Sequence, residues 1–544
     1  MKVPVSLAVG ALRELCCKDA GLETATPPAA NGRVYSDARL DECEYANADR
    51  NDVEADSEAT IMAAVKVLLQ GLGEDVNRDG LKKTPLRVAK AFRDGTRGYC
   101  QTIKDIVGGA LFPEAGIESG AGCGGGSGGL VVVRNIDLFS YCEACLLPFK
   151  VRLHVGYISS EQRVVGLSKL SRVAEAFAKR LQAPQRLADE VSKTLYDTIR
   201  PLGVAVVLEC WHIQFPGLDG NSYEIKSHNK EMCGWMYFPI CAGSGLFEDE
   251  SSDVWDEFFA VLSLGGINIE KPCFNESVLQ KRNWCPFLEV DDLQLAIVNG
   301  RIPDNSELRC NGHGPKRFCG INSQLISKLQ PKLGVSYSMM ITAVESIISA
   351  VGEDPRREGL QDTPFRFVWW LLNFCRRKPG FQVNGFDWNI TDSQWRPSSP
   401  AAVLANTEAV CSTFLLEIDV PFFSQCEHHL LPFFGVAHIG YFCSKEENQQ
   451  LDRSKINAIV QFFSHKLQVQ ERLTKQIAET VASTCNTVGV MVVLEARHIC
   501  MLSRGIEKIG SCTATVAVLG KFATDSAARA AFLQKISSRT AERR

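Results

Sequence analysis

The residues best suited to chemistry in this chain lie in one tetrapeptide, Cys426-Glu427-His428-His429. The whole sequence has only nine histidines, so two adjacent ones beside a cysteine need an explanation. Cysteine thiolates and neutral imidazoles are the preferred ligands of zinc, and a Cys-x-x-His turn can present both to one ion. The pattern indicates a metal site in which Cys426 and His429 are ligands and His428 lies beside the metal.

A third ligand is predicted downstream. Residues 489–500 form an apolar run typical of a buried strand, and within it His498 and Cys500, two apart, would point from the same face. With Cys426 and His429, Cys500 would complete three protein ligands and leave the fourth zinc position to water, as in catalytic zinc sites. The alternative is that these are unrelated core or surface side chains near incidental cysteines.

The amino-acid composition limits the class of protein that could carry such a site. The chain has 544 residues and 45% hydrophobic residues, enough for two or more domains with ordinary cores. Its 59 basic and 63 acidic residues give a net charge of −4, which argues against nucleic acid or anionic lipid as a partner. No apolar run reaches membrane-spanning length. Twenty-one cysteines without a signal sequence favour reduced thiols, some of them metal ligands, in a cytoplasmic protein.

A helix start upstream carries paired positive charges. In Thr84-Pro85-Leu86-Arg87, Thr84 is a predicted N-cap and Pro85 occupies the first helical position. Arg87 and Lys90 then lie three apart on one face. Cations there are favourable if an anion binds at the helix N-terminus. A solvated face is the alternative.

The chain contains an internal repeat. The pattern Ser-x-Cys-Glu-x-x-Leu-Leu-Pro-Phe occurs at 140–149 and again at 424–433, and the matches continue in register downstream. The chain therefore contains two tandem copies of one fold. The predicted organisation is a loose arm over 1–56, a first domain over 57–262, a linker over 263–335 and a second domain over 336–544. In each copy the order of helical and strand patterns predicts an α+β fold with an antiparallel sheet, whose exposed edges favour oligomerisation.

The second copy carries four motifs in order. They are Cys-Glu-His-His at 426–429, Ser-Lys-Ile-Asn at 454–457, Gln-Val-Gln-Glu-Arg-Leu-Thr at 468–474 and Arg-His-Ile-Cys at 497–500. In these motifs the chain resembles GTP cyclohydrolase I, and its duplication is similar to the tandem form found in plants. The resemblance implies two T-fold (tunnelling-fold) domains assembled into rings. It also implies zinc-dependent opening of the imidazole ring of GTP with water, giving 7,8-dihydroneopterin triphosphate and formate, the first step of folate-type pterin synthesis.

The resemblance also assigns roles in the second copy. Cys426, His429 and Cys500 would bind Zn²⁺, whose coordinated water attacks C8 of guanine. His428 and His498 would be catalytic and move the protons that ring opening and formate release require. Glu471 would bind substrate by accepting two hydrogen bonds from the guanine edge, and the neighbouring Gln470 would bind substrate as well. Arg504 would contact the triphosphate through its guanidinium.

The first copy has lost this set. The replacements are Ala144 for His428, Cys145 for His429, Gln185 for Glu471 and Gln214 for Cys500. It should therefore neither hold catalytic zinc nor recognise guanine, so one catalytic zinc per chain is expected. Another kind of metal site, made by Cys142 and Cys145 with Cys210 or His212, stays open.

The first copy keeps the motifs that the family uses for phosphate. They are Ser168, Lys169 and Arg172, together with Arg87 and Lys90. The second copy has Ala458 in place of Arg172 and Trp369 in place of Lys90. The prediction is a homo-oligomer with composite sites between first and second domains. Two alternatives remain: a complete second copy with the first as packing partner, or a non-catalytic nucleotide-binding or regulatory scaffold.

Overall fold

The fold is given by a computed structural model. It describes residues 42–108, 111–113, 129–160, 163–213, 235–269, 285, 334–376, 414–442, 451–485, 487–504 and 511–542. The predicted connector between the domains falls almost entirely outside these residues, apart from its two ends and Cys285. Gln214 and most of the segment predicted to be an N-terminal arm also fall outside them.

A pair of helices opens the first copy. Helices α1 (Glu42–Gly71) and α2 (Thr84–Thr96) are followed by a 3-10 turn (Arg97–Cys100) and the short α3 (Ile103–Val107). Helix α1 begins inside the segment predicted to be a loose arm, because residues 42–56 contain neither glycine nor proline and extend the helix backwards. The N-cap prediction for Thr84 is wrong: Lys83 is the cap residue, and Thr84 is the first residue of α2.

The first copy then forms a five-stranded sheet. Its strands lie in the spatial order β5-β2-β3-β6-β7, and every pair is antiparallel except the short parallel edge pair of β5 and β2. Strands β1 and β4 pair separately. The strands are β1 (Leu111–Pro113), β2 (Leu130–Cys142), β3 (Pro148–Ile158), β4 (Arg163–Val165), β5 (Leu181–Gln182), β6 (Gly203–Ile213) and β7 (Trp235–Gly245). The helices are α4 (Leu167–Ala178), α5 (Pro184–Ile199) and α6 (Asp253–Leu264).

The second copy repeats this arrangement. Its sheet has the order β10-β8-β9-β11-β12, again antiparallel apart from one short parallel edge pair. The strands are β8 (Leu415–Cys426), β9 (Leu431–Phe442), β10 (Leu467–Gln468), β11 (Gly489–His498) and β12 (Thr513–Gly520). The helices are α7 (Tyr337–Ala350), α8 (Thr363–Arg376), α9 (Arg453–Ser464), α10 (Gln470–Cys485), α11 (Ile499–Leu502), α12 (Lys521–Thr524) and α13 (Ser526–Glu542).

The predicted α+β class with two antiparallel sheets is confirmed. The apolar stripe predicted on α9 is buried, because Ile456, Ile459, Val460 and Phe463 are all at most 2% exposed. These side chains belong to a core that continues from one copy into the other. Among the described helices, none combines the length and apolarity needed to cross a bilayer.

The N-terminal helix pairs make contacts between the two copies. Helix α1 packs against α7, and the Ser57 hydroxyl donates a hydrogen bond to the Ala350 carbonyl across 2.6 Å. At the start of α2, the Thr84 hydroxyl donates to the Glu427 carbonyl at 2.7 Å. At the start of α8, Thr363 makes the corresponding hydrogen bond to the Glu143 carbonyl. Each helix pair therefore contacts the Cys-containing turn of the other copy.

Candidate metal and nucleotide site

The Cys426-to-His429 segment forms a tight turn between β8 and β9. The backbone N–H groups of His429 and Leu430 both donate to the Cys426 carbonyl, at 3.3 and 2.9 Å, and Leu430 has a positive φ of 53°. The Gln425 side chain donates to the Leu430 carbonyl and fixes the end of the turn. The turn places the Cys426 Sγ 3.9 Å from the His429 Nδ1. The sequence prediction that both side chains serve one ion fits this geometry.

Cys500 reaches the same point by a route that the sequence pattern did not predict. Strand β11 ends at His498, and Cys500 lies in the helical turn α11 rather than in the strand. The expectation that His498 and Cys500 extend from one face of a strand is therefore wrong. The ligand atoms of Cys426, His429 and Cys500 nevertheless all lie within 4.8 Å of one another.

The protonation chemistry of the cluster centres on Cys426. Hydrogen bonds, the largest from the Cys500 thiol and others from His428, His429 and His498, lower the pKa of the Cys426 thiol well below its usual value despite burial. The same contact with Cys426, together with burial, raises the pKa of Cys500. Two sulfurs and one imidazole nitrogen converging in this way are a soft donor set that suits zinc.

The two further histidines flank these groups. His428 is half-buried, and its pKa is raised, chiefly by its hydrogen bond to Cys426. The His498 ring stacks on Phe433 with centroids 4.6 Å apart and planes 4° from parallel. Its Nε2 lies 2.9 Å from the side-chain oxygen of Gln470.

The side-chain amide of Gln470 is hydrogen-bonded within the protein. It is 3% exposed, and its amide nitrogen donates to the carbonyls of Leu494 at 3.0 Å and Thr513 at 2.8 Å. Its oxygen therefore accepts from the His498 Nε2–H. The Gln470 amide thus links His498 to two neighbouring strands, and direct binding of substrate by Gln470 stays a prediction.

Glu427 holds the metal turn in place through two ion pairs. Its carboxylate is 3% exposed and accepts hydrogen bonds from Arg472 of the second copy, at 2.7 Å, and from Arg78 of the first copy, at 2.8 Å. Gly80 lies so close that a Cβ there would be 2.3 Å from a Glu427 carboxylate oxygen. Because Arg78 and Gly80 precede α2, the start of that helix is held firmly against the metal turn.

Groups from the first copy also come near the metal cluster. The positive charge of Arg87, on the first turns of α2, opposes the rise in the pKa of His428. Burial raises the pKa of Tyr141, at the end of β2, while the charge of Arg504 opposes that rise and the charge of Cys500 adds to it. The side chains of Arg87 and Tyr141 are therefore electrostatically coupled to second-copy site residues.

The remaining predicted site residues lie on helices α2, α4 and α10. Glu471 is exposed in the first turn of α10, and Lys90 is exposed on α2. Ser168 and Arg172 are exposed in α4, while the Lys169 amine donates to the Ile106 carbonyl at 2.7 Å. Their side chains present charge and hydroxyl groups to the surface.

Comparison with known proteins identifies the class. A family model described as GTP cyclohydrolase I matches residues 61–221 and 340–537, which together exceed half of the chain. The chain belongs to the GTP cyclohydrolase I family. It is 49% identical over 476 residues to GTP cyclohydrolase 1 of Solanum lycopersicum and 48% identical over 482 residues to that of Arabidopsis thaliana. Each match covers 88% of this chain and 91% of the relative.

A third relative matches a single copy. GTP cyclohydrolase 1 of Dictyostelium discoideum is 46% identical over 203 residues, which are 37% of this chain and 77% of that protein. The tandem T-fold organisation predicted from the repeat therefore agrees with the two family matches in one chain. The second match contains Cys426, His429 and Cys500, whereas the first contains the altered copy.

In the first copy, the GTP cyclohydrolase I site has been rebuilt. The Gln185 amide, at the position of Glu471, donates to Asp189 at 2.9 Å and to the Cys241 carbonyl at 3.2 Å. Cys142, Cys145 and His212 converge with Cys285, a residue that sequence reasoning missed. Cys285 lies outside both family matches and outside any periodic element, so only its residue type could have drawn attention to it. Cys210, the other candidate from sequence, is not part of this group.

Proposed function

We propose that this chain is a zinc-dependent GTP cyclohydrolase I. It would use water to open the imidazole ring of the guanine in GTP, giving 7,8-dihydroneopterin triphosphate and formate at the start of pterin and tetrahydrofolate synthesis. The observation that carries the proposal is the convergence of Cys426, His429 and Cys500, with His428 and His498 beside them, in a member of this family. The cysteine content favours a reducing compartment, so we place the activity in the cytoplasm.

Cys426, His429 and Cys500 would hold the zinc ion. Three protein ligands leave a position for water, and zinc supplies Lewis acidity that lowers the pKa of such a water toward neutrality. Two buried sulfurs and a half-buried imidazole meet this requirement without a fourth protein ligand.

His498 is held in a fixed orientation. The Gln470 oxygen accepts from the Nε2–H of His498, so Nδ1 is the ring nitrogen that would exchange a proton. The stack on Phe433 fixes the ring plane. His428 also contacts Cys426 and is available as a proton donor once charged. Together they would move the protons of ring opening and formate release, with Gln470 as a positioning residue.

Base recognition is assigned to Glu471. Guanine presents N1–H and an amino group on one edge, and a carboxylate accepts both at once. Glu471 is exposed at the start of α10, directly after the buried Gln470 that holds His498. Glu471, which would bind the guanine base, is thus adjacent in sequence to Gln470, which positions His498.

Triphosphate binding is assigned to both copies. Arg504 is exposed and close enough to Cys500 and Tyr141 for its charge to affect both. Arg87 acts on His428 from α2, and Lys90 lies one turn further along that helix. Guanidinium and ammonium groups bind phosphate by charge-assisted hydrogen bonds.

The sites would be composite and the assembly a homo-oligomer. Within one chain, α2 of the first copy already contacts the metal turn of the second. The exposed Ser168 and Arg172 of the first copy, with the half-buried Lys169 between them, would complete the triphosphate site of a neighbouring chain. The functional domains would span 57–262 and 336–544, joined by the linker over 263–335.

Formate release tests the proposal. Purified protein incubated with GTP should release formate and a fluorescent pterin, after oxidation and dephosphorylation, in equal amounts. His428→Ala should abolish both products while the catalytic zinc stays bound, because His428 is not a ligand. GTP binding without formate release by fully zinc-loaded protein would instead identify a scaffold and refute the proposal.

A further inference from the structure

A second group of metal-ligating side chains lies in the first copy. Cys142, Cys145, His212 and Cys285 each offer one ligand atom, and all four atoms lie within 4.8 Å of one another. Each residue is at most 1% exposed. Four such donors around one point match the number and type of ligands in a structural zinc site.

The turn between β2 and β3 presents the first two sulfurs. The Leu146 N–H donates to the Cys142 carbonyl at 2.8 Å, and the Cys142 N–H donates to the Leu147 carbonyl at 2.9 Å. Leu146 adopts a positive φ of 58°, as Leu430 does in the second copy. The Cys-x-x-Cys spacing is typical of zinc-binding turns.

His212 is oriented as a metal ligand. Its Nδ1 lies 2.9 Å from the Ile213 carbonyl, an acceptor, so Nδ1 carries the proton. The Nε2 lone pair therefore faces the Cys145 sulfur, 3.4 Å away. A backbone carbonyl that fixes the tautomer in this way is the usual outer partner of a ligating histidine.

We propose that Cys142, Cys145, His212 and Cys285 bind a structural zinc ion. Cys142 stands at the repeat position of the ligand Cys426, Cys145 at that of His429, and His212 at that of the proton-transfer residue His498. The fourth ligand, Cys285, comes from outside the repeat. Because protein atoms fill all four positions, no place remains for water or substrate, and the site holds structure rather than catalysing a reaction.

The position of Cys285 defines what this zinc would stabilise. The three other ligands belong to the sheet of the first copy, whereas Cys285 lies in the segment that connects the copies. A metal that bridges them attaches the connector, at Cys285, to the first copy. Since the ligands must meet before they can bind, the metal-binding free energy also favours the arrangement that brings Cys285 to the other three ligands.

Metal content of the full-length protein tests this site. Zinc measured by mass spectrometry after exhaustive dialysis should be two ions per chain. Cys285→Ser should retain one, and Cys500→Ser should also retain one, lost from the other site. Cys210→Ser is the matched control, since Cys210 is equally buried but belongs to no such group, and it should retain two. Equal zinc contents in Cys285→Ser and Cys210→Ser would overturn the proposal.

A spectroscopic measurement covers the possibility that Cys285→Ser fails to fold. Full-length Cys500→Ser loaded with cobalt should bind one ion, with the visible bands of tetrahedral cobalt and a charge-transfer band as strong as three thiolate ligands require. Absence of bound cobalt, or a spectrum without tetrahedral thiolate ligation, would exclude the site. Neither measurement depends on GTP turnover, so failure here is distinct from failure of the proposed activity.

Discussion

Removal of Arg78 tests how the first copy supports the catalytic turn of the second. The Arg78 guanidinium donates at 2.8 Å to the Glu427 carboxylate, which lies between the metal ligand Cys426 and the catalytic candidate His428. Arg357 makes the corresponding bond, at 2.7 Å, to Glu143 in the copy that lacks the catalytic set. The two ion pairs are therefore a matched experiment within one chain.

The expected loss of stability follows from the burial of these pairs. A hydrogen bond to a charged group contributes about 1.5–3 kcal/mol. In Arg78→Ala, Glu427 keeps Arg472 at 2.7 Å, and in Arg357→Ala, Glu143 keeps Arg186 at 3.2 Å. Because one partner remains in each case, we expect both variants to lose about 1.5–2 kcal/mol of unfolding free energy. Equilibrium denaturation of the two proteins side by side measures it.

Activity should separate the two variants. We expect the loosened turn, which carries Cys426 and His428, to raise the activation free energy by about 1.4 kcal/mol, which corresponds to about a tenfold lower rate. Formate release from GTP should therefore fall about tenfold in Arg78→Ala and stay near the unmodified rate in Arg357→Ala. Equal turnover in the two variants, at equal losses of stability, would refute the idea that α2 shapes the catalytic turn.

Three other substitutions test single assignments. Cys500→Ser should remove the catalytic zinc and GTP turnover together; turnover with that zinc lost would refute its role. Glu471→Gln should lose a few kcal/mol of transition-state binding, measured as a lower kcat/KM for GTP, while its zinc content stays constant. Gln185→Glu in the first copy is the control and should change neither kcat/KM nor zinc content. Arg172→Ala should lose a charged contact of about 1.5–3 kcal/mol and so lower kcat/KM for GTP about tenfold to a hundredfold, with zinc content unchanged. Normal kinetics in this variant would show that Arg172 is not part of the site.

The fold was predictable where local pattern decides it. The repeat, the strand and helix types and the buried stripe of α9 all follow from periodicity and motif spacing. The contacts of α1 with α7, and of the start of α2 with the metal turn of the second copy, were not predictable, because they join residues far apart in the sequence with no local pattern to link them. Thr84 illustrates the consequence: its sequence context is that of an N-cap, yet its hydroxyl bonds to the other copy.

The metal site was predictable in composition but not in detail. Cys426, His429 and Cys500 were identified from residue type and spacing, although Cys500 lies in a helical turn that the apolar run conceals. The satisfied amide of Gln470 could not be read from sequence, since its acceptors are backbone carbonyls on neighbouring strands. Cys285 is separated from its partners by a long connector, and no periodicity links them.

We propose that the first copy completes the catalytic site of the second. Arg87 lies on α2 and acts on His428, whereas Arg366, its repeat counterpart on α8, pairs with Asp362 at 3.2 Å. GTP turnover and zinc content, measured together in full-length Arg87→Ala and Arg366→Ala, test the claim most directly. We predict that Arg87→Ala loses about tenfold to a hundredfold in kcat/KM, as expected for a lost charged contact, with zinc unchanged and Arg366→Ala near normal. Unimpaired turnover in Arg87→Ala would contradict the account and leave the second copy as a complete enzyme.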